Sequence, residues 1–314
     1  MSQSLSNNVW KHLVCSSCGH SLEAQSQGAT CPGCGLVYFY TESGSLDLRL
    51  QHPKSYTDAF ELGTPLLPDE GFSFDPLQIN SDPQVDFSGI PTPRHLTKEI
   101  LSYFPHANSR NSLMLDLGCG KAIHKEVAER AGFEWVGLDY EAPEAQILGD
   151  AQALPFQDEI FDFILCVTVI QYVQFPFVMI REANRVLKPN GKLIGTLAFL
   201  EPSQGTSFYH YSHLGTYNLL KHGGFEIERL APSREWSVLR ALASMGCFSG
   251  CRAGWRNPSS CRWNFFTGYG GEPGNLSRVG HWKICASGIS LVRSLLSLLS
   301  QDNPSGYYAH CNCH

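Results

Sequence analysis

Apolar positions along the middle of the chain fall into short runs separated by polar, helix-like stretches. Ser112 to Leu117, Glu134 to Asp139, Ala145 to Gly149, Ile160 to Val169 and Lys192 to Phe199 read as strands. The longest of them, Ile160 to Val169, is apolar almost throughout, which is the pattern of a central parallel strand covered on both faces. Between them, Lys121 to Ala131 and Phe177 to Leu187 carry helical spacing, the second closed by Lys188-Pro189-Asn190-Gly191. Leu214 to His222 is a further helix, stopped by Gly223-Gly224, and Phe225 to Leu230 reads as another strand. Upstream, Thr92 as N-cap and Pro93 in the first helical position start a helix whose Leu96, Ile100, Leu101 and Phe104 share a face. This alternation predicts an α/β fold with a doubly wound, mostly parallel sheet.

Punctuation and charge divide the chain into four pieces. Residues 1–50 form a small cysteine-bearing domain, 51–91 a Pro-rich linker that wraps a neighbour, 92–246 the α/β domain, and 247–314 a Cys/Ser/Gly-rich tail of poor order. The tail carries six basic and two acidic residues on a chain whose net charge is −6. A global basic field for nucleic acid is therefore absent. No apolar run reaches the ~18 residues of a membrane span, and the first ten residues lack the pattern of a signal peptide. A reducing, cytoplasmic setting is expected.

Of twelve cysteines, four lie close together, as Cys15-Ser-Ser-Cys18 and Cys31-Pro-Gly-Cys34. Two tight turns, each presenting two thiolates, can close a tetrahedron around one structural zinc ion. Two disulfides or four free thiols are the competing reading. Gly19 and Gly35 follow the second cysteine of each pair and let backbone N–H groups turn toward the sulfurs. The other cysteines carry no such spacing: Cys119 and Cys166 read as packing residues, and the six in the tail match no common metal site.

A glycine loop, Asp116-Leu-Gly118-Cys119-Gly120-Lys121-Ala122, follows the first strand and opens a helix. Ile123 stands where a dinucleotide loop needs its third glycine, and Ala122 stands where a phosphate loop needs a hydroxyl. Asp116, Asp139 and Asp150 end three successive strands. Such carboxylates converge on one crevice: the first suits an ammonium group, the second a pair of ribose hydroxyls, the third an adenine edge. Together they suit a cationic adenosine ligand.

The loop, Gly-Leu-Asp139, Gly-Asp150-Ala151-Gln-Ala-Leu-Pro155-Phe156, Phe161 to Cys166 and Glu182 to Gly191 together resemble the class I S-adenosylmethionine-dependent methyltransferases, over roughly residues 92–235. The nearest group includes the quinone-biosynthesis methyltransferases. The resemblance implies a Rossmann-like sheet and S-adenosylmethionine as cofactor. It assigns Asp116 with Gly118, Cys119 and Gly120 to the methionine part, Asp139 and Tyr140 to the ribose, and Asp150 and Ala151 to the adenine. Backbone near Cys166 and Val167 lines the sulfonium side. No catalytic side chain is assigned. Two departures stand out: Gly-Cys-Gly-Lys-Ala replaces the usual Gly-Cys-Gly-Thr/Ser-Gly, and Gln171 stands where the family often has histidine. Residues 12–50 resemble the zinc ribbons of methyltransferase activators and ribbons fused to such enzymes.

The expected function is methyl transfer to a small-molecule or lipid-like acceptor. The alternatives are an RNA or protein methyltransferase guided by the ribbon, and a degenerate domain that acts as a binding partner without catalysis. A protein partner would meet the ribbon. Lys11 and Arg49 are its only Lys or Arg residues, which weighs against nucleic acid. Tyr209-His210-Tyr211-Ser212-His213 lies where the family covers its substrate, although ordinary packing explains it as well.

Overall fold

The computed structural model describes residues 5–60, 75–93, 95–198 and 207–232. The tail lies outside the described residues.

Ser6 caps a first short helix, α1 (Asn7–Trp10), its hydroxyl accepting from the Val9 amide. Asn8 and Ser6 both bond to Glu134, which fastens the N-terminal segment to the α/β domain. A three-stranded antiparallel sheet follows, with β1 (Glu23–Gln25), β2 (Gly28–Thr30) and β3 (Val37–Phe39) in that order. Gly28 is obligatory there: a Cβ on it would lie 1.9 Å from the Tyr38 carbonyl oxygen.

The main sheet has six strands in the order β4-β7-β6-β5-β8-β9. They are β4 (Leu46–Asp47), β5 (Leu113–Leu117), β6 (Glu134–Asp139), β7 (Ile147–Leu148), β8 (Phe161–Val167) and β9 (Leu187–Thr196). All five pairings are parallel. Chain order reverses beside β5, where β5→β6→β7 runs one way and β8→β9 the other, so the crevice falls at the carboxyl end of β5. β4 is the unexpected member. The final strand of the cysteine-bearing segment adds itself to the sheet edge, with Leu46 opposite Ile147 and Asp47 opposite Leu148.

Side chains alternate between two buried layers, as strand geometry dictates. Leu113, Leu115, Ile164 and Cys166 pack with Leu13, Tyr38, Leu46 and helix α4 (Pro176–Val186), and Leu219 of α5 (His213–His222) joins them. Met114, Trp135, Phe163 and Leu165 pack on the other face with α2 (Lys98–Leu101) and α3 (Lys125–Arg130). The antiparallel sheet and the parallel sheet therefore share one apolar layer.

Several predicted boundaries moved. The helix expected from Thr92 is capped instead by Thr97, whose hydroxyl accepts from the Ile100 amide. Pro91 and Pro93 bias their neighbours toward extended backbone and delay the start. The helix expected from Lys121 begins at Lys125, because Ala122 is left-handed at φ 54° and breaks the first turn. Helix α4 passes straight into β9, where Lys188 to Gly191 form a bulge between the Phe161–Leu187 and Phe163–Lys192 pairs. Phe225 to Leu230 forms no strand, since none of the described strands pairs with it; Arg229 lies over the Tyr103 ring instead. In residues 51–60, Asp58 meets Arg181 and His222, and Phe60 stacks on the His222 ring at 4.5 Å.

Candidate functional site

Each strand-end residue reaches the site because its strand delivers it to the carboxyl edge of the sheet. The glycine loop leaves β5 at Gly118, whose amide bonds the Leu138 carbonyl of β6 at 2.8 Å. Gly118 is left-handed (φ 74°), and a Cβ there would lie 2.2 Å from the Val169 side chain. Only glycine fits this turn. Asp139 ends β6, and its carboxylate accepts from the Gly120 amide at 3.0 Å and from the Glu141 and Ala142 amides at 3.1 Å each. Asp139 thus touches the loop directly while staying partly exposed. Asp150, just after β7, accepts from the backbone and side chain of Gln152 through Oδ1. Asp150 and Ala151 are half-buried, and Tyr140 is 59% exposed. Cys166 and Val167 end β8 and are buried, and Thr168 then turns out at φ 57°.

Asp116 sits differently. It is 0% exposed, and its carboxylate is held by His124 Nδ1 at 3.1 Å and by the indole N–H of Trp135 at 3.1 Å. His124 immediately precedes α3, so its ring spans the two ends of the glycine loop. Neither His124 nor Trp135 stands out in the sequence, because their importance comes from contacts made 8 and 19 residues away. Both thiols of the site are held protonated. Burial, with the Asp116 and Asp139 charges beside it, pushes Cys119 well up, and burial with Asp116 pushes Cys166 up to about 12. Neither is a nucleophile at neutral pH.

At the flank, Arg49 forms a fork on Asp47 (2.6 and 2.9 Å), donates to the Tyr140 carbonyl at 3.4 Å and lies 5.6 Å from the Tyr140 ring centre. The bond from Arg49 holds the Asp47 carboxyl below its usual range, against the opposing effect of its partial burial. A cleft of about 300 Å³ opens here, lined by Tyr38, Phe39, Arg49 and Tyr140 among others. None of the glycine-loop residues lines it, so it adjoins the site rather than covering it. Around Gln171, which is buried, the 207–212 segment packs against the turn after β8: the Phe208 and Tyr209 amides donate to the Gln171 carbonyl, and the Tyr209 hydroxyl to that of Gln174.

The four N-terminal cysteines come together, with all sulfurs within 4.8 Å of one another. They are free thiols rather than disulfides. Gly19 and Gly35 are left-handed at φ 79° and 76°, and their amides donate to the Cys15 and Cys31 carbonyls, closing each turn. Burial raises the Cys15 thiol, but bonds from the Tyr38 hydroxyl and from nearby backbone amides outweigh it and bring it down to about 6.

A six-stranded parallel sheet with a glycine loop at its switch point and carboxylates at or near its strand ends is a Rossmann-like fold. Residues 115–195 match the family described as a methyltransferase domain. The ubiquinone biosynthesis O-methyltransferase of Chelativorans sp. is 28% identical over 168 residues, 48% of this chain and 65% of that protein. Human mitochondrial 2-methoxy-6-polyprenyl-1,4-benzoquinol methylase is 37% identical over 84 residues, 27% of this chain and 22% of that protein. Among solved structures, an S-adenosylmethionine-dependent methyltransferase of Mesorhizobium loti is 19% identical and covers 37% of this chain and 75% of its own, with a TM-score of 0.33. This chain spans less than two thirds of the length of these curated relatives. Among the described residues, no helix is long and apolar enough to cross a membrane.

Proposed function

We propose that this chain transfers a methyl group from S-adenosylmethionine to a small-molecule or lipid-like acceptor, and that Cys15, Cys18, Cys31 and Cys34 hold one structural zinc ion. The observation that carries the reading is the meeting of the glycine loop with Asp139, flanked by Asp150, at the carboxyl edge of β5, β6 and β7.

The residues fit the cofactor. A carboxylate offers about four lone-pair positions, and three at Asp139 are taken by amides, which leaves capacity for a ribose hydroxyl. Asp150 uses Oδ1 on Gln152, which leaves Oδ2 for an adenine amino edge. Gly118 and Gly120 let the backbone approach the methionine part, and Tyr140 offers an exposed ring beside the ribose. Cys166 and Val167 wall the sulfonium side with neutral, buried side chains. When bound, the cofactor supplies an electrophilic methyl group, so the chain contributes alignment and a dry site rather than a nucleophile.

For the metal, four thiolates at this spacing fill a tetrahedron and leave no open position, which suits structure rather than catalysis. The quinone methylases among the relatives favour a small or lipid-like acceptor. Pairing of Arg49 with Asp47 further weakens any nucleic-acid reading of the ribbon.

Calorimetric titration with S-adenosylhomocysteine tests the cofactor. Wild type should bind, and Asp139→Ala should weaken binding by about 1.5–3 kcal/mol, the scale of a lost hydrogen bond to a charged group. Absence of binding would sink the reading. Transfer of a labelled methyl group into pooled small molecules, RNA or protein then identifies the acceptor; label in RNA or protein would replace the acceptor named here.

A further inference from the structure

The amino-acid end of the cofactor needs a partner, and Asp116, the obvious carboxylate, is closed off. It is fully buried, and His124 and Trp135 already occupy it. A carboxylate only accepts, so His124 Nδ1 must carry the proton in their bond. In the tautomer with that proton on Nδ1, Nε2 carries the ring's free lone pair, pointing away from Asp116. It is buried and has no hydrogen-bond partner among the described residues. His124 itself is 4% exposed. A buried acceptor left unmatched carries the full cost of its lost hydration, so a donor brought to it would be held there.

We propose that His124 Nε2 accepts a hydrogen bond from the α-ammonium group of the cofactor, and that Asp116 and Trp135 act through it. This rests on the cofactor reading above. The placement supports it. His124 stands between the glycine loop and α3, and its bond to Asp116 ties the far end of the loop back to β5. An ammonium group offers three N–H donors and no acceptor, which complements a lone imidazole nitrogen. Asp116, itself held by Trp135, fixes the ring through Nδ1 and so orients Nε2 away from itself. Asp116 is thus a positioning residue, and His124 the contact.

Two ligands separate this role from a merely structural one. S-adenosylhomocysteine carries the amino-acid end, and 5′-methylthioadenosine lacks it. His124→Asn keeps a donor facing Asp116 and removes the acceptor at the Nε2 position. It should weaken S-adenosylhomocysteine by about tenfold or more while leaving 5′-methylthioadenosine within about twofold. His124→Gln, which can return an acceptor near that position, should recover part of the loss. Equal losses for both ligands, or none for S-adenosylhomocysteine, would overturn the proposal. Should His124→Asn fail to fold, wild type with ¹⁵N-labelled histidine answers alone: S-adenosylhomocysteine should shift the His124 Nε2 resonance and 5′-methylthioadenosine should not. An Nε2 signal that moves equally with both, or with neither, refutes the assignment. A wild-type chain that binds neither ligand defeats the cofactor reading itself, and this proposal with it.

Discussion

Three residues of the glycine loop, Gly118, Gly120 and Ala122, are left-handed. Asp116 is conspicuous in the sequence as a strand-end acid, yet the fold turns it inward to His124 and Trp135. Ala122 is the converse case. It occupies the place where the resembling family has glycine, and it still adopts the glycine conformation, at φ 54°. A left-handed alanine costs about 1–2 kcal/mol. Restoring glycine gives back about 0.4–1 kcal/mol to the unfolded chain, so the net gain from Ala122→Gly should be about 0.5–1 kcal/mol. For a domain of this size that raises Tm by about 1–4 °C. Thermal unfolding measures it directly; an unchanged or lower Tm would show that the loop relaxes around alanine without strain.

At the scale of elements, the strands were legible because a strand covered on both faces needs an unbroken apolar run. Glu134–Asp139 appears with the bounds expected, and Phe161–Val167 lies inside its predicted run. Of the three acids expected at strand ends, Asp139 ends β6, Asp116 lies just inside the end of β5, and Asp150 follows β7. What could not be read was pairing. Leu46–Asp47 is two residues long, too short for any period, and nothing local says that it adds to β7. Leu46 is 0% exposed and packs with residues of both sheets. Leu46→Ala should therefore destabilise the whole described unit by about 2–5 kcal/mol, the usual scale for a deleted buried leucine. A surface edge strand would lose far less. Chemical denaturation distinguishes the two, and a loss under about 1 kcal/mol would mean that β4 is an ornament on the sheet rather than part of its core.

For the molecule as a whole, the shared core decides how metal and fold are linked. Leu13, Tyr38 and Leu46 are buried in the same layer as Leu115, Val136 and Leu138. The Leu13 and Val14 backbone also bonds across to Phe156 and Pro155. The cysteine turns lie directly on this layer, with Cys15 and Cys31 both buried in it. If zinc organises those turns, its binding free energy is folding free energy for everything packed against them. Stripping the metal with a chelator, or replacing Cys31 with serine, should then lower a single unfolding transition that fluorescence and circular dichroism report together. A ribbon that folded apart from the sheet would melt in a separate early step and leave the main transition where it was. Elemental analysis of chain purified without chelator should find one zinc per molecule. The same preparation, titrated with chelator while Tm is followed, should lose metal and stability in parallel; metal loss with an unmoved transition would uncouple the ribbon from the fold.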